Sequence, residues 1–159
     1  MAFIITDNTV GHQAIADTAT TARYPLGTTM RAYDPVYGAG EFIYLKGVAS
    51  TVVGSWVTYA MDDGSTALIV PDVIGPVAVA MSANVANQYG WYQISGKARA
   101  QAADVSDNGK VYIDTAAGVC DDAVVAGDKV FNATWASDED TSGIAEVELS
   151  RPFTTDEST

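Results

Sequence analysis

The sequence predicts an all-β protein, a small β-barrel or β-sandwich of about eight or nine short strands behind an extended N-terminal arm. Three observations carry this. Short apolar runs recur with Gly, Pro, Asn or Asp turns roughly every 8–12 residues from Gly40 onward. No window holds the i, i+3, i+4 apolar spacing of a helix for long enough to make one. The first 38 residues show no clear period of either kind.

The arm, residues 1–38, is rich in Thr and Ala, and its Tyr24-Pro25 and Asp34-Pro35 pairs favour extended or turn backbone. A chain end is flexible by default. This one carries Tyr24, Leu26, Met30, Tyr33, Val36 and Tyr37, and disordered segments are poor in aromatic residues. An arm that orders on a partner accounts for them better.

The β-domain, residues 39–150, divides at its turns. Strands are expected over 41–48, 55–61 before Asp62-Asp63-Gly64, 66–70 before Pro71, and 76–81. Residues 89–102 are long enough for one bent strand or two, with Gly96 as the bend. Within them Lys97, Arg99 and Gln101 alternate with Ala98, Ala100 and Ala102, giving an apolar face small enough to pack closely against another subunit. Asn108-Gly109 signals a hairpin whose two central residues take positive φ. Residues 110–114 follow, then a turn at Ala117-Gly118, and residues 129–134 follow Ala126-Gly127-Asp128. The last strand, 143–150, points Ala145, Val147 and Leu149 inward and is stopped by Pro152. Residues 151–159 form an acidic tail.

Composition excludes several function classes. The chain has 159 residues and a net charge of -12, with 20 acidic against 8 basic residues. Nucleic acid and anionic membrane need clustered Lys and Arg, so neither is expected as a direct partner. Hydrophobic residues make up 48% and charged residues only 18%, which suggests surface covered by something other than water. No stretch is apolar for the ~20 residues of a membrane helix, and the N-terminus lacks a signal peptide's basic region. The single cysteine, Cys120, allows no internal disulfide and fits synthesis in a reducing cytoplasm.

The residues for catalysis are sparse. His12 is the only histidine and lies in the arm, where it is poorly placed to be held beside a nucleophile. Asp121 and Asp122 follow Cys120, and their charge raises a thiol pKa. One His and one Cys do not make a zinc site. Asp104, Asp107 and Asn108 near a turn, and the run Asp138-Glu139-Asp140, are oxygen-rich loops of the kind that can hold calcium, without the EF-hand spacing. We assign no catalytic, cofactor-binding or metal-ligating residue and expect no enzyme and no cofactor.

The stretch Tyr24 to Val48 (YPLGTTMRAYDPVYGAGEFIYLKGV) resembles tailed-bacteriophage capsid decoration, or cement, proteins. So do Gly90 to Gly96 (GWYQISG), Gly109 to Asp114 (GKVYID) and Ala126 to Val130 (AGDKV). The resemblance covers most of the chain. It implies a β-domain on the outer surface of a virion head, bound to the major capsid protein and to itself, often as a homotrimer. The arm would then order on the capsid, with Arg23, Tyr24, Leu26, Arg31, Tyr33 and Tyr37 as contacts, and Ala98 and Ala100 would face a neighbouring subunit. The alternative is a carbohydrate- or receptor-binding module of a phage tail or fibre, using Trp56, Trp91 or Trp135 as sugar platforms.

Overall fold

The computed structural model describes residues 3–5 and 13–157. Among them there is no helix, and hence none long and apolar enough to cross a membrane. Twelve strands form: β1 (Ile4–Ile5), β2 (Thr18–Ala19), β3 (Thr29–Asp34), β4 (Gly38–Lys46), β5 (Trp56–Tyr59) and β6 (Thr66–Leu68). The second half contributes β7 (Gly75–Ala80), β8 (Tyr89–Ala103), β9 (Lys110–Ile113), β10 (Cys120–Asp121), β11 (Lys129–Trp135) and β12 (Ile144–Thr154). The expected all-β class is what the chain adopts, as a barrel.

Six strands close the barrel in the order β7-β8-β10-β9-β11-β12, with β12 returning to β7. β8 is its spine. From Ser95 onward, through Gly96, it pairs directly with β12, from Ser95↔Ser150 to Gln101↔Ile144. On the other side of Gly96, β7 inserts between them, pairing Val79↔Gln93 with β8 and Pro76↔Phe153 with β12. Gly96 makes that bend at φ +94°, and a Cβ there would collide with the carbonyl of Ala39. Only glycine meets both conditions.

The barrel interior explains the small residues of β8. Ala98, Ala100 and Ala102 share one core with Val77, Val79, Val111, Ile113, Val130 and Val147, together with Trp56 and Trp135. The two indoles meet edge-to-face at 5.8 Å. Two large rings inside a narrow barrel leave room only for methyl groups on the facing strand.

β4 is buried on both faces, which is why it reads as the unbroken run Phe42-Ile43-Tyr44-Leu45. Ile43 and Leu45 pack against Val57, Ala78, Ala80, Tyr92 and Ile94. Phe42 and Tyr44 pack with Trp91 against residues 13–32, through Ile15, Met30 and Ala32.

This second face changes the reading of the arm. From Gln13 onward the segment belongs to the sheet: β2 pairs with β8, and β3 pairs with β4 along its whole length. The buried Gln13 fastens it. The Gln13 side-chain amide donates to the carbonyls of Asp17 and Tyr89 at 3.0 Å each. Its Oε1 accepts from the Tyr44 hydroxyl at 2.8 Å. Its backbone carbonyl accepts from Trp91 Nε1 at 3.1 Å. The boundary expected at residue 38 therefore falls inside the β3–β4 hairpin. Residues 1–2 and 6–12, the rest of the expected arm, lie outside the described residues.

Two other expectations differ. Pro152 does not stop the last strand, which runs to Thr154. Arg151 takes φ +51°, and pairing moves there from β8 to β7, so proline sits at a break in the ladder. The expected tail thus starts inside a strand. At Asn108-Gly109 only Asn108 has positive φ, and the flanking β8 and β9 do not pair, because β10 lies between them. The turn instead closes from Gly109 N–H to Ser106 C=O at 3.0 Å.

Candidate interaction surface

The β3–β4 hairpin carries three of the residues expected to make contacts, Arg31 and Tyr33 on its outward face and Tyr37 at its tip. β3 alternates strictly, with Thr29, Arg31 and Tyr33 outward and Met30, Ala32 and Asp34 buried. Across the ladder Arg31 faces Glu41 and Tyr33 faces Ala39, while Ile4 of β1 lies beside Tyr33 on the other edge. Cross-strand partners share a face.

The hairpin tip is stiff for a local reason. Buried Asp34 accepts the backbone N–H groups of Val36 at 2.8 Å and Tyr37 at 2.9 Å through Oδ1. Gly38 closes the loop at φ +81°. The turn leaves Val36 83% exposed and Tyr33 46% exposed, a high degree of exposure for apolar groups held so firmly.

Charges frame this face. Glu41 pairs with Arg31 at 3.3 Å and with Arg151 at 3.2 Å. Tyr37 is partly buried, and burial first, then its hydrogen bond to Glu146, push its pKa up. Glu146 also takes Lys97 at 2.9 Å, and that bond chiefly holds its carboxyl below the usual glutamate range. Tyr37 thus lies against Glu146 of β12, whose carboxylate also meets Lys97 of β8. Two shallow hollows flank Ala39. One, of about 430 Å³, is walled by Arg31, Tyr33, Glu41 and Ser95; the other, of about 440 Å³, by Val36, Tyr37, Lys97 and Glu148. A larger apolar hollow of about 570 Å³ lies elsewhere, between Phe3, Ile15, Val53, Met81 and Ile144.

The other expected contacts sit differently. Arg23 is exposed, but its backbone N–H reaches the Tyr44 hydroxyl at 3.3 Å, on the opposite side of β4. Tyr24 and Leu26 pack into the core beside Trp91. The Tyr24 ring lies 5.1 Å from Tyr44, and its hydroxyl accepts from Gln13 N–H at 3.1 Å. Ala98 and Ala100 are fully buried in the chain's own barrel and offer nothing to a neighbouring subunit. Their small size answers to the two indoles.

Trp56, Trp91 and Trp135 are also fully buried, each donating its indole N–H to a backbone carbonyl, of Gln101, Gln13 and Asp121 respectively. None is a sugar platform, so the receptor-binding alternative loses the residues it invoked.

The acidic loops act on the backbone. Glu139 accepts from Asp104 N–H, and Asp138 from Asp107 N–H. Asp140 accepts from the N–H groups of Ser142 and Ile144 and pairs with Arg99 at 2.8 Å. No group of three metal-ligating side chains converges among the described residues. His12 lies outside them.

Cys120 is buried inside the barrel. Burial first, then Asp121 and Asp114, push its thiol pKa well up; Asp114, brought close by the pairing of β9 with β10, takes the place expected for Asp122. The folded protein is expected to resist a thiol-labelling disulfide reagent at neutral pH and to react stoichiometrically once denatured. Rapid labelling of native protein would contradict the packing.

No protein-family model, curated protein or solved structure matches this chain.

Proposed function

We propose that this chain is a structural virion protein that binds the outer surface of a bacteriophage capsid, contacting the major capsid protein through the outward face of its β3–β4 hairpin. Its work is mechanical: many modest contacts, repeated by symmetry, favour the assembled shell by mass action. Self-association into a trimer on the capsid belongs to the same reading, as do synthesis in the host cytoplasm and the absence of a catalytic role.

The observation that carries the proposal is the stiff hairpin presenting Arg31 and Tyr33 on one outward face, with Tyr37 half-buried at its tip. The longest of the segments that carry the resemblance, Tyr24 to Val48, is the one that builds this face. Tyr and Arg are the side chains that most often anchor protein interfaces. The net charge of -12 suits a position outside a shell filled with nucleic acid.

Co-sedimentation with expanded empty heads of the encoding phage tests this. The wild-type chain is expected to pellet with heads in a saturable ratio. Arg31→Glu with Tyr33→Ala is expected to weaken binding by about thirtyfold or more, the effect of losing one strong anchor, without changing thermal unfolding much. Wild-type protein that stays in the supernatant would sink the capsid reading. Undiminished binding by the double variant would move the contact to another face.

A further inference from the structure

A second surface lies on the outer wall of the barrel, where β9, β11 and β12 meet. We propose that it docks an acidic segment of another protein chain, with carboxylates on Lys110 and Lys129 and an apolar side chain against Phe131 and Phe153. This inference does not rest on the capsid reading.

The register places the parts. Lys110 of β9 faces Thr134 of β11, and Lys129 begins β11 opposite Tyr112. Both lysines line one hollow of about 540 Å³ with Phe131, Asn132, Glu148 and Ser150. The Lys129 ammonium lies 5.0 Å from the centre of the Phe131 ring. Phe131 in turn stacks on Phe153 at 5.2 Å with the planes 13° apart, and Phe153 remains 38% exposed. An apolar shelf thus adjoins two cations.

Charge complementarity names the occupant. Four of the eight basic residues, Arg31, Lys97, Arg99 and Arg151, pair with carboxylates. Lys110 and Lys129 form no ion pair among the described residues. One acid, Glu148, also lines the hollow, on the far side of Thr134 from Lys110, and forms no ion pair with either lysine among the described residues. In a chain with 20 acidic residues, two cations left facing one hollow form a local attractor for external carboxylates.

The backbone is distorted at the same place. The β11–β12 ladder steps from Phe131↔Phe153 to Ala133↔Leu149, so Asn132 alone opposes three residues. Asn132 takes φ +60° and Arg151 φ +51°. Asn tolerates the left-handed region, but an arginine there is costly, and such strain concentrates at binding sites.

The test uses the full chain and a short fluorescein-labelled peptide of glutamates around a single leucine. Anisotropy at low salt is expected to show saturable binding that moves the NMR signals of Lys110 and Lys129. Lys110→Glu with Lys129→Glu is expected to weaken it about tenfold or more, Lys110→Gln with Lys129→Gln by less, and Arg31→Glu not at all. The same peptide with lysines in place of glutamates is not expected to bind. No saturable binding up to about millimolar peptide, or equal binding by the Glu and Gln double variants and wild type, would overturn the proposal. If the glutamate variant instead lowers the sedimentation coefficient of the chain alone, the occupant is a second copy and the assignment to another protein falls.

Discussion

Deleting residues 1–38 is expected to leave a chain that cannot hold its native fold. The deletion removes β3 from the edge of β4 and strips the cover from Phe42, Tyr44 and Trp91, all now fully buried. Exposing three such rings costs roughly 1.5–3 kcal/mol each. It also breaks the hydrogen bonds that Gln13 makes to Tyr44, Trp91 and Tyr89. The sum approaches the ~5–15 kcal/mol that stabilises an ordinary domain. Heteronuclear NMR checks it: collapsed amide dispersion, with binding of a hydrophobic dye, is the expected result. A truncated domain with a dispersed spectrum and a near-native melting temperature would mean that residues 13–38 dress the barrel without holding it. Loss of capsid binding on this deletion would therefore be no measure of the contact itself; point variants on the outward face are.

Ala98→Leu and Ala100→Leu are each expected to destabilise the barrel by about 1–3 kcal/mol, and by more where the backbone cannot yield. Ala98 pairs with Val147 and Ala100 with Ala145 across the β8–β12 ladder, and both methyl groups share an interior already holding Trp56 and Trp135. Added carbons enter a fully buried, closely packed interior, so the indoles or the strands must move. For a chain of this size the loss corresponds to a fall in melting temperature of roughly 2–4 °C per kcal/mol. Calorimetry reads the fall, and sedimentation is expected to show unchanged mass. Unaltered stability with altered mass would restore the subunit-contact reading of this stripe.

Periodicity, turn chemistry and composition determined much of this protein from sequence alone. The strand runs, the turns at Gly64, Gly118 and Gly127, and the bend at Gly96 follow from side-chain alternation and from backbone that favours glycine. The strand Thr29 to Asp34 is not evident in the sequence, because prolines lie on either side of it and its inward residues are a methionine, an alanine and an aspartate. Strands of two residues, such as β2 and β10, carry no period at all. What occupies each face was decided only by the tertiary structure, because alternation says which side chains are covered and never by what. The Ala98–Ala102 stripe reads the same whether a subunit or an indole lies opposite. Tyr24 and Tyr33 are both arm tyrosines in the sequence, yet one packs half-buried on Tyr44 and Trp91 while the alternation of β3 presents the other. Lys110, Lys129, Phe131 and Phe153 meet only through the register of β9, β11 and β12. Contacts between residues far apart in the chain depend on which strands pair and in what register, and local sequence records neither.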